Sequence, residues 1–507
     1  MTRLVVKLGS SSIASGEGLA LDVIAGLLTQ IAAAQRGGHE VILVTSGAAR
    51  LGRGLLAFEG PTARAGAELQ RLADAVRLAL AQASGGPSAP DHAGLVGSLE
   101  AALPRPGIPD LPGPLSLALA ASVGQPGLMA LYRQLAAAVG MEVCQVLLSR
   151  SDLDSAEAMR DVGSVLTAAL GQGLLPVVNG NDTTDPRSEL DNDQIAVAVA
   201  VAAEASRLTL LTNVRGVFAD AEMARRIARL TPEEARALRI SLPGEGRGGM
   251  RSKLNAAARA AYCGVECVIG SARDADVVAR SLRPQARLGT VVRAVGEPLP
   301  PAERWVGGIA YPMGTIGINR EAEVSLRAGS TLFLSGVKRI DGDFEPGAVV
   351  ELVDVRHPAR LIGRGSVAMP SAALKLLRAL SPDEVTDVLS VLFRLRHAPA
   401  LRSADPELQA GLRAELLDAA RFDDIADLER GRSQAARQAR AELLAATPER
   451  VRVLTDALLA AQPRACSAML ADGSFLAGKI GPDSPARRAV RDMHAVHRDS
   501  LVVYRAA

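Results

Sequence analysis

The chain has 507 residues, of which 48% are hydrophobic, so it is long enough for two or three domains with sizeable cores. Its formal net charge of +2 excludes a global attraction to nucleic acid, and any RNA contact would need a local basic patch. The sequence has no signal-like start and no obvious membrane-length apolar run, so we expect a cytoplasmic protein without membrane contact. The cysteines lack zinc-type spacing, and we expect Cys263 and Cys267 to be buried thiols rather than metal ligands.

Short β-branched runs alternate with alanine-rich stretches through residue 295, which predicts an α/β domain with a mostly parallel sheet between helices. This domain spans 1–297 and is followed by the Pro-rich linker 298–301. An irregular insertion at about 84–113, rich in Gly and Pro, is expected to form a surface loop. In chain order, strands are predicted at 3–8, 40–45, 141–148, 174–178, 207–212 and 266–270, and helices at 21–36, 116–138, 155–172, 191–205, 253–262 and 274–282.

From Trp305 to about Met369, short strands separated by turn signals predict a small β-barrel. A β-like C-terminal segment completes it, so the second domain covers 302–390 together with 491–507. Between these parts, 391–490 shows helical apolar spacing and is interpreted as a helical insertion of unknown role. A solvated helical bundle and a partner-binding or oligomer-forming appendage are the two alternatives for this insertion.

Acids and amides gather at 179–193, directly after the predicted buried strand 174–178. The carboxyl end of a strand is where an α/β sheet builds a ligand site. Lys7, which precedes a small-residue turn, and Lys253, which follows a glycine pair, supply the opposite charge. Such a turn can bind phosphate through its backbone N–H groups, although a surface lysine and a flexible loop are the simpler alternatives. The P-loop pattern is missing from the sequence, so we expect a different phosphate-binding fold.

Eight short signatures occur along the chain. Their occurrence together and in this order identifies a family more specifically than any one of them. They are Val-Val-Lys-Leu-Gly-Ser-Ser (5–11), Val-Thr-Ser-Gly-Ala (44–48), Val-Gly-Gln (123–125), Gln-Val-Leu-Leu-Ser-Arg-Ser-Asp (145–152), Pro-Val-Val-Asn-Gly-Asn-Asp (176–182), Asp-Asn-Asp (191–193), Leu-Leu-Thr-Asn-Val-Arg-Gly-Val-Phe (210–218) and Gly-Gly-Met-Arg-Ser-Lys-Leu-Asn-Ala-Ala (248–257). On these residues the chain resembles the amino-acid kinase family, in its glutamate-phosphorylating branch. Residues 305–369 resemble the PUA barrel, through Ile316-Gly317-Ile318-Asn319 and Gly342-Asp343-Phe344-Glu345-Pro346-Gly347 among others.

The resemblance implies transfer of the γ-phosphoryl group of ATP, with Mg²⁺, to the side-chain carboxylate of L-glutamate. The product would be L-glutamyl 5-phosphate, and the reaction would be the first step of proline biosynthesis. By resemblance, Lys7 and Lys253 stabilise the transferring phosphoryl group and Asp193 orients both lysines. No strong base is required, because the attacking carboxylate is already ionised at pH 7. The family commonly forms homo-oligomers, so the resemblance also implies a dimer or tetramer.

The resemblance assigns two binding sites. For glutamate the matching residues are Ser46, Asp182 and Asn192, with Asn179 and Asp191 close by. For the nucleotide they are Lys7, Thr212, Asn213, Arg247, Gly248, Gly249, Met250, Arg251, Ser252 and Lys253. Three features depart from the family pattern: Gly180 stands where Glu is usual, Asn213 where Asp is usual, and residues 115–118 replace a Lys-Gln element.

Several alternatives remain open at the level of the sequence. Acetylglutamate, aspartate, carbamate and uridylate kinases share the family, but the barrel and the Asp-Asn-Asp segment favour glutamate. An RNA-binding or regulatory protein with a degenerate kinase domain is the alternative of a different class, motivated by Gly180 and Asn213. The retention of Lys7, Asp193 and Lys253 argues against it. Within the barrel, a structural or regulatory role is preferred over RNA binding, because aromatic residues for base stacking are scarce.

Overall fold

The computed structural model describes most of the chain in two compact units, Met1–Tyr311 and Pro312–Tyr504. The insertion predicted at 84–113 lies outside the described residues, and so does the stretch 398–433 of the predicted helical insertion. The described residues are 1–9, 12–15, 18–56, 114–185, 190–219, 225–238, 249–283, 288–378, 380–397, 434, 438–439, 442–443, 446–471, 485–491 and 493–504.

The first unit alternates strands and helices as the sequence predicts. Its strands are β1 (Arg3–Leu8), β2 (Ala14–Ser15), β3 (Gly18–Leu19), β4 (Glu40–Val44), β5 (Val143–Leu148), β6 (Leu175–Gly180), β7 (Arg207–Thr212), β8 (Arg229–Leu230), β9 (Glu266–Ser271) and β10 (Thr290–Val292). Its helices are α1 (Leu21–Arg36), α2 (Ala48–Leu56), α3 (Pro114–Ala138), α4 (Arg150–Leu153), α5 (Ala156–Gly171), α6 (Asn192–Ala202), α7 (Pro232–Ala237), α8 (Met250–Tyr262) and α9 (Val277–Ser281). Trp305–Ile309 forms a π-helical turn, whereas the sequence pattern predicts short strands from Trp305 onward.

Within the described part of this unit, one eight-stranded sheet has the order β5-β6-β4-β1-β7-β9-β10-β8. Neighbouring strands are parallel except β10, which runs antiparallel to β9. The prediction of an α/β fold with a mostly parallel sheet is therefore confirmed. Because β6, β4, β1 and β7 are consecutive and parallel, their carboxyl ends meet at one edge of the sheet.

Both faces of the sheet are covered, and alternate residues of β1 serve opposite faces. Leu4, Val6 and Leu8 pack in one core with residues of α1, α3 and α9. Val5 packs in the other core with residues of α5, α6 and α8. Lys7 lies two residues after Val5 and therefore points to the same face of the strand, toward α6 and α8.

Helix α3 packs closely against α2 through glycines. An added Cβ at Gly124 would collide with the carbonyl of Ala48, and one at Gly52 would collide with the backbone of Ala120. Among the described helices, α3 is also long and apolar enough over Leu115–Ala138 to cross a membrane by length and composition, which the sequence analysis does not anticipate. Core helices pass the same test, and one face of α3 lies in the core of the first unit.

The second unit contains a curled six-stranded sheet in the order β12-β16-β15-β14-β11-β13, among the residues that the structure describes. Its strands are β11 (Gly314–Ile318), β12 (Leu332–Phe333), β13 (Val337–Gly342), β14 (Val349–Asp354), β15 (Leu361–Val367) and β16 (His494–Val503). Its helices are α10 (Arg320–Arg327), α11 (Ser371–Leu377), α12 (Pro382–His397), α13 (Pro448–Ala461), α14 (Pro463–Ala471) and α15 (Pro485–Arg491), with a 3₁₀ turn at Leu334–Gly336. The sheet agrees with the predicted small β domain.

The described helices of the predicted insertion share one hydrophobic core with the curled sheet. Leu458 of α13 and Cys466 of α14 belong to the same buried cluster as Ile316 and Val496 of the sheet. The side chain of Gln462 also donates a hydrogen bond to the carbonyl of Ala368 across 3.3 Å. These helices therefore bury apolar surface within the second unit rather than forming a separately solvated bundle.

Candidate active site

The carboxyl ends of four adjacent parallel strands supply the centre of the site. Lys7 lies near the end of β1, paired in register with Val44 of β4 and Leu210 of β7. Thr45 and Ser46 follow β4, Asn179 is the penultimate residue of β6, and Thr212 ends β7. Residues that are far apart in sequence are thus brought to one sheet edge, as the sequence predicts for parallel strands.

A buried ion cluster joins Lys7, Asp193 and Lys253. The Lys7 Nζ lies 2.6 Å from Asp193 Oδ1, and the Lys253 Nζ lies 3.1 Å from Asp193 Oδ2. Lys253 donates a hydrogen bond, whereas the Lys7 contact is an ion pair without hydrogen-bond geometry. The exposed fractions of the three side chains are 5%, 0% and 3%, so water screens their charges little.

The start of α6 explains how Asp193 is positioned. Asp191 caps this helix, and its Oδ1 accepts hydrogen bonds from the backbone N–H groups of Asp193 and Gln194 at 2.7 and 3.1 Å. Asp193 itself lies in the first turn, where the helix dipole favours a negative charge. Ser252, in the first turn of α8, donates a hydrogen bond to Asp191 Oδ2. The first turns of α6 and α8 are therefore tied together twice, by Ser252 with Asp191 and by Lys253 with Asp193.

The environment changes the ionisation of Lys253. Burial lowers the pKa of its ammonium group, and the positive charge of Lys7 lowers it further. The carboxylate of Asp193 raises the pKa and offsets part of this shift. Lys253 is therefore less basic than an exposed lysine, because its charged form has lost water on all sides.

Amide side chains form a series of hydrogen bonds at the same edge of the sheet. Asn192 Nδ2 donates to the carbonyl of Thr45 across 2.8 Å and to Asn179 Oδ1 across 3.2 Å. The backbone N–H of Gly180 also donates to Asn179 Oδ1, at 2.9 Å. Asn179 Nδ2 in turn donates to Gln125 Oε1 of α3, at 2.9 Å. These hydrogen bonds link Thr45, Asn192, Asn179 and Gln125 in a series, the amide chain. Gln125 is part of a family signature, but its sequence position alone does not reveal that it joins the amide chain.

Ser46 and Asp182 lie beside this amide chain. Ser46 Oγ donates to the carbonyl of Leu8 across 3.3 Å. A Cβ added at Gly180 would lie 3.6 Å from Asp182 Oδ1 and 3.5 Å from Asn192 Oδ1, so both side chains approach the same point. The turn after β4 depends on Gly47, whose φ of +107° is unfavourable for other residues.

Tyr132 is a second residue that the sequence analysis misses. Its hydroxyl lies 2.6 Å from Thr45 Oγ1, and the two groups share a hydrogen bond. Tyr132 is fully buried, and burial raises the pKa of its hydroxyl to about 12 although the Thr45 hydrogen bond lowers it. The carbonyl of the same Thr45 accepts from Asn192, so Tyr132 is linked to the amide chain through Thr45.

The residues assigned to the nucleotide occupy two places. Thr212 is buried at the end of β7, and its hydroxyl donates to Oδ1 of the exposed Asn213 across 3.2 Å. Gly249 precedes α8 without a side-chain cap, so the first N–H groups of the helix are not taken by such a cap. Met250, Arg251, Ser252 and Lys253 form the first turn of α8. Arg247 and Gly248 lie outside the described residues.

Gly9 leaves room for the Lys7 ammonium. A Cβ at position 9 would lie 3.2 Å from Lys7 Nζ and 3.6 Å from the carbonyl of Leu211. A side chain there would crowd the ammonium group, whereas glycine leaves the space open. The glycine in the Lys-Leu-Gly signature is thus explained by the space around the lysine.

The buried lysine pair at the carboxyl edge of the sheet suits a kinase, and a family match identifies the chain as one. A model of the amino acid kinase family matches residues 2–271, and a PUA domain model matches residues 314–389. The chain belongs to the amino acid kinase family and carries a C-terminal PUA domain.

The curated relatives of the chain are named glutamate 5-kinase. That of Shewanella amazonensis is 31% identical over 400 residues, covering 76% of this chain and 91% of the relative. That of Thioalkalivibrio sulfidiphilus is 31% identical over 398 residues, covering 76% and 92%. That of Proteus mirabilis is 29% identical over 399 residues, covering 76% and 94%. The resemblance stated from the sequence signatures is therefore confirmed.

Proposed function

We propose that the chain transfers the γ-phosphoryl group of ATP to the side-chain carboxylate of L-glutamate. A carboxylate oxygen forms a bond to the γ-phosphorus, the bond to the bridging oxygen breaks, and ADP leaves. The product is L-glutamyl 5-phosphate, the first intermediate of proline biosynthesis. The observation that carries the proposal is the buried Lys7–Asp193–Lys253 cluster at the carboxyl edge of the sheet. The names of the curated relatives support the choice of glutamate.

The charge of this cluster suits phosphoryl transfer. Two ammonium groups and one carboxylate leave a net charge of +1 at a buried point, when both lysines are ionised. Negative charge on a transferring phosphoryl group is stabilised strongly by such fixed positive charge in a dry site. Asp193 holds the two ammonium groups in place before substrate arrives, so less reorganisation is needed during the reaction. The glutamate carboxylate is the nucleophile and is already ionised at neutral pH.

The two substrates are proposed to bind on opposite sides of the cluster. On the acceptor side, carboxylates such as Asp182 and Asp191 suit an α-ammonium group, and Ser46, Asn179 and Asn192 offer polar contacts. On the nucleotide side, Thr212 and Asn213 lie at the end of β7, Gly249–Lys253 lead into and begin α8, and Arg247 and Gly248 are assigned by resemblance alone. The start of α8 brings backbone N–H groups and Lys253 to one place, which suits phosphate.

We propose that Mg²⁺ enters with ATP. Asp193 is engaged by two lysines, and Asp191 by two backbone N–H groups and Ser252. Across the described residues, no group of three His, Cys, Asp or Glu side chains could hold a metal ion. This donor set fits an ion carried by phosphate oxygens, because Mg²⁺ keeps several waters and needs few protein ligands. The ion would neutralise charge on the phosphates.

The wider setting is also part of the proposal. We propose a cytoplasmic enzyme that assembles as a homo-oligomer, a dimer or a tetramer, through its kinase domain. The PUA domain belongs to a class that fits RNA binding, but we propose a structural or regulatory role for it here.

The test is ADP release with ATP, Mg²⁺ and L-glutamate, with hydroxylamine present to convert an acyl phosphate into a hydroxamate. Aspartate, N-acetylglutamate and UMP serve as alternative acceptors in parallel reactions. Glutamate-dependent hydroxamate is the expected result. Turnover with another acceptor would reassign the substrate. No turnover with any acceptor would favour the degenerate-kinase alternative, for which salt-sensitive RNA binding is the measurement.

A further inference from the structure

The amide chain at the acceptor side has a fixed direction. A backbone N–H can only donate and a backbone carbonyl can only accept, so each end of the chain sets the orientation of its neighbours. The N–H of Gly180 donates to Asn179, so the atom facing it must be the oxygen Oδ1. The carbonyl of Thr45 accepts from Asn192, so the atom facing it must be the nitrogen Nδ2.

This direction passes on to Gln125. With Oδ1 of Asn179 facing Gly180 and Asn192, its nitrogen Nδ2 faces Gln125. The atom of Gln125 that meets this donor must then be the acceptor Oε1, at 2.9 Å. Rotating the Gln125 amide would place two N–H₂ groups against each other, so the network itself fixes the orientation of this amide.

The nitrogen of the Gln125 amide, Nε2, is not used in this network. It is buried and has no hydrogen-bond partner among the residues that the structure describes. A buried N–H₂ donor without an acceptor is unfavourable in a folded protein, and native structures keep few of them. Where native structures keep one, an ordered water, an ion or a bound ligand supplies the missing acceptor.

We propose that Gln125 is a further substrate-binding residue, whose Nε2 donates a hydrogen bond to a carboxylate oxygen of the acceptor amino acid. This inference rests on the proposed function, because it takes the ligand to be an amino acid. The position agrees with that role, since α3 brings Gln125 directly beside Asn179 at the end of β6. Gly124, the preceding residue, packs on Ala48 just after the Ser46–Gly47 turn.

The carboxylate that Gln125 is proposed to bind is the one on Cα of the acceptor amino acid, which does not react. Hydrogen bonds lead from Gln125 through Asn179 to Asn192, and Asp193, the next residue in the sequence, holds the lysines. The reacting side-chain carboxylate must approach the lysines, so Gln125 is left to the carboxylate on Cα. A contact to a group that does not react strengthens binding in the ground state and the transition state alike, so its loss raises KM more than it lowers kcat.

The variant Gln125→Glu separates this role from a structural one. A glutamate side chain keeps an oxygen that accepts from Asn179 Nδ2, but it replaces the N–H₂ donor with a second, negatively charged oxygen. We expect KM for L-glutamate to rise at least about tenfold, with kcat and KM for ATP within about threefold of the wild-type values. Because acid protonates the new carboxyl group and restores a donor, the ratio of the two KM values should fall as pH is lowered.

The matched control is Gln134→Glu, roughly 13 Å further along the same helix at 1.5 Å per residue, which should leave KM for glutamate unchanged. If Gln125→Glu fails to fold, Gln125→Met replaces it, and its KM for glutamate should also rise. A folded Gln125→Glu variant with wild-type KM would overturn the inference, because a purely structural Gln125 is satisfied by the glutamate oxygen. Wild-type protein without glutamate turnover would instead overturn the proposed function and this inference together.

Discussion

Lys253 and Asp193 connect the first turns of two helices through a hydrogen bond of 3.1 Å between Nζ and Oδ2. Lys7 approaches the other carboxylate oxygen from the end of a strand. One buried carboxylate thus fixes two positive charges that come from opposite ends of the kinase domain sequence. Removing the carboxylate would leave two buried ammonium groups facing each other, whereas removing one lysine leaves a complete ion pair.

The first prediction concerns the charge of Lys253. The variant Lys253→Met keeps much of the side-chain volume and leaves Asp193 paired with Lys7. We expect kcat to fall by about 100-fold or more, because a positive charge acting on the transferring phosphoryl group is lost. The measurement is steady-state hydroxamate formation together with urea unfolding. Lys375→Met is the control, since Lys375 pairs with the exposed Asp343 in the second unit. A folded variant with near wild-type kcat would contradict the proposed role.

The second prediction concerns pH. Burial first, and the charge of Lys7 second, lower the pKa of Lys253 below its ordinary value of 10.5. Between the lowered pKa and 10.5, the unfolded chain binds more protons at this site than the folded chain does. The free energy of unfolding contributed by this site therefore rises with pH across that interval. Urea unfolding of the wild type and of Lys253→Met along a pH series should show the wild type gaining stability relative to the variant. A pH-independent difference would argue against a lowered pKa.

The third prediction concerns the contact of α2 with α3. The variant Gly124→Ala would push its methyl group into the carbonyl of Ala48 and to 2.5 Å from the nitrogen of Gly52. We expect a loss of about 1–3 kcal/mol in the free energy of unfolding, because neither backbone can yield locally. KM for glutamate should rise as Gln125 moves. Gly127→Ala is the matched control, because its Cβ would meet only a side-chain atom, Leu51 Cδ2, at 3.2 Å. Equal stability of the two variants would show that the helices can separate freely.

The fourth prediction concerns Glu323 in the second unit. Its buried carboxylate forms ion pairs with Arg320, Arg327 and Arg360, of 2.8, 2.9 and 2.6 Å. Burial alone raises its pKa, but hydrogen bonds from these arginines outweigh burial and lower the pKa below 4.5. Stability from this site is therefore present above pH 4.5 and is lost as pH falls through the lowered pKa.

The variant Glu323→Gln should lower the free energy of unfolding of the second unit at neutral pH by about 1–3 kcal/mol, since hydrogen bonds to a charged group are lost. The difference from the wild type should shrink in acid. Glu449→Gln is the control, because that carboxylate pairs with Arg452 at the surface of α13. A difference that persists unchanged in acid would mean that the charge of Glu323 is not what stabilises the unit.

Strong periodic patterns allowed the kinase fold to be predicted. The bounds of β1, α1 and β7 agree with those predicted, because each is a regular run with clear ends. The strands β8 and β10 were missed, since two or three residues carry no period that could be recognised. Trp305 was expected among short strands, but its backbone forms a π-helical turn and its Nε1 donates to the carbonyl of Leu153 across 3.0 Å.

The grouping of the candidate site residues in space could be predicted where they follow strands, and not where they lie within a helix. Lys7, Asn179 and Asp193 stand at strand ends or helix starts, which are positions that a sequence marks clearly. Gln125 and Tyr132 lie inside α3, where a polar group can equally face solvent. They meet their partners, Asn179 and Thr45, because glycines let α3 approach α2 closely. This contact between helices is a tertiary property that the local sequence does not show.

Three consecutive residues at the start of α6 have different roles. Asp191 caps the helix and binds Ser252, Asn192 joins the amide chain, and Asp193 holds the lysines. A substitution that alters the backbone of this turn would therefore shift acceptor affinity and turnover at the same moment. An engineer who wishes to change the acceptor while keeping the rate should leave this turn intact and begin with Gln125 of α3, which reaches the turn through Asn179.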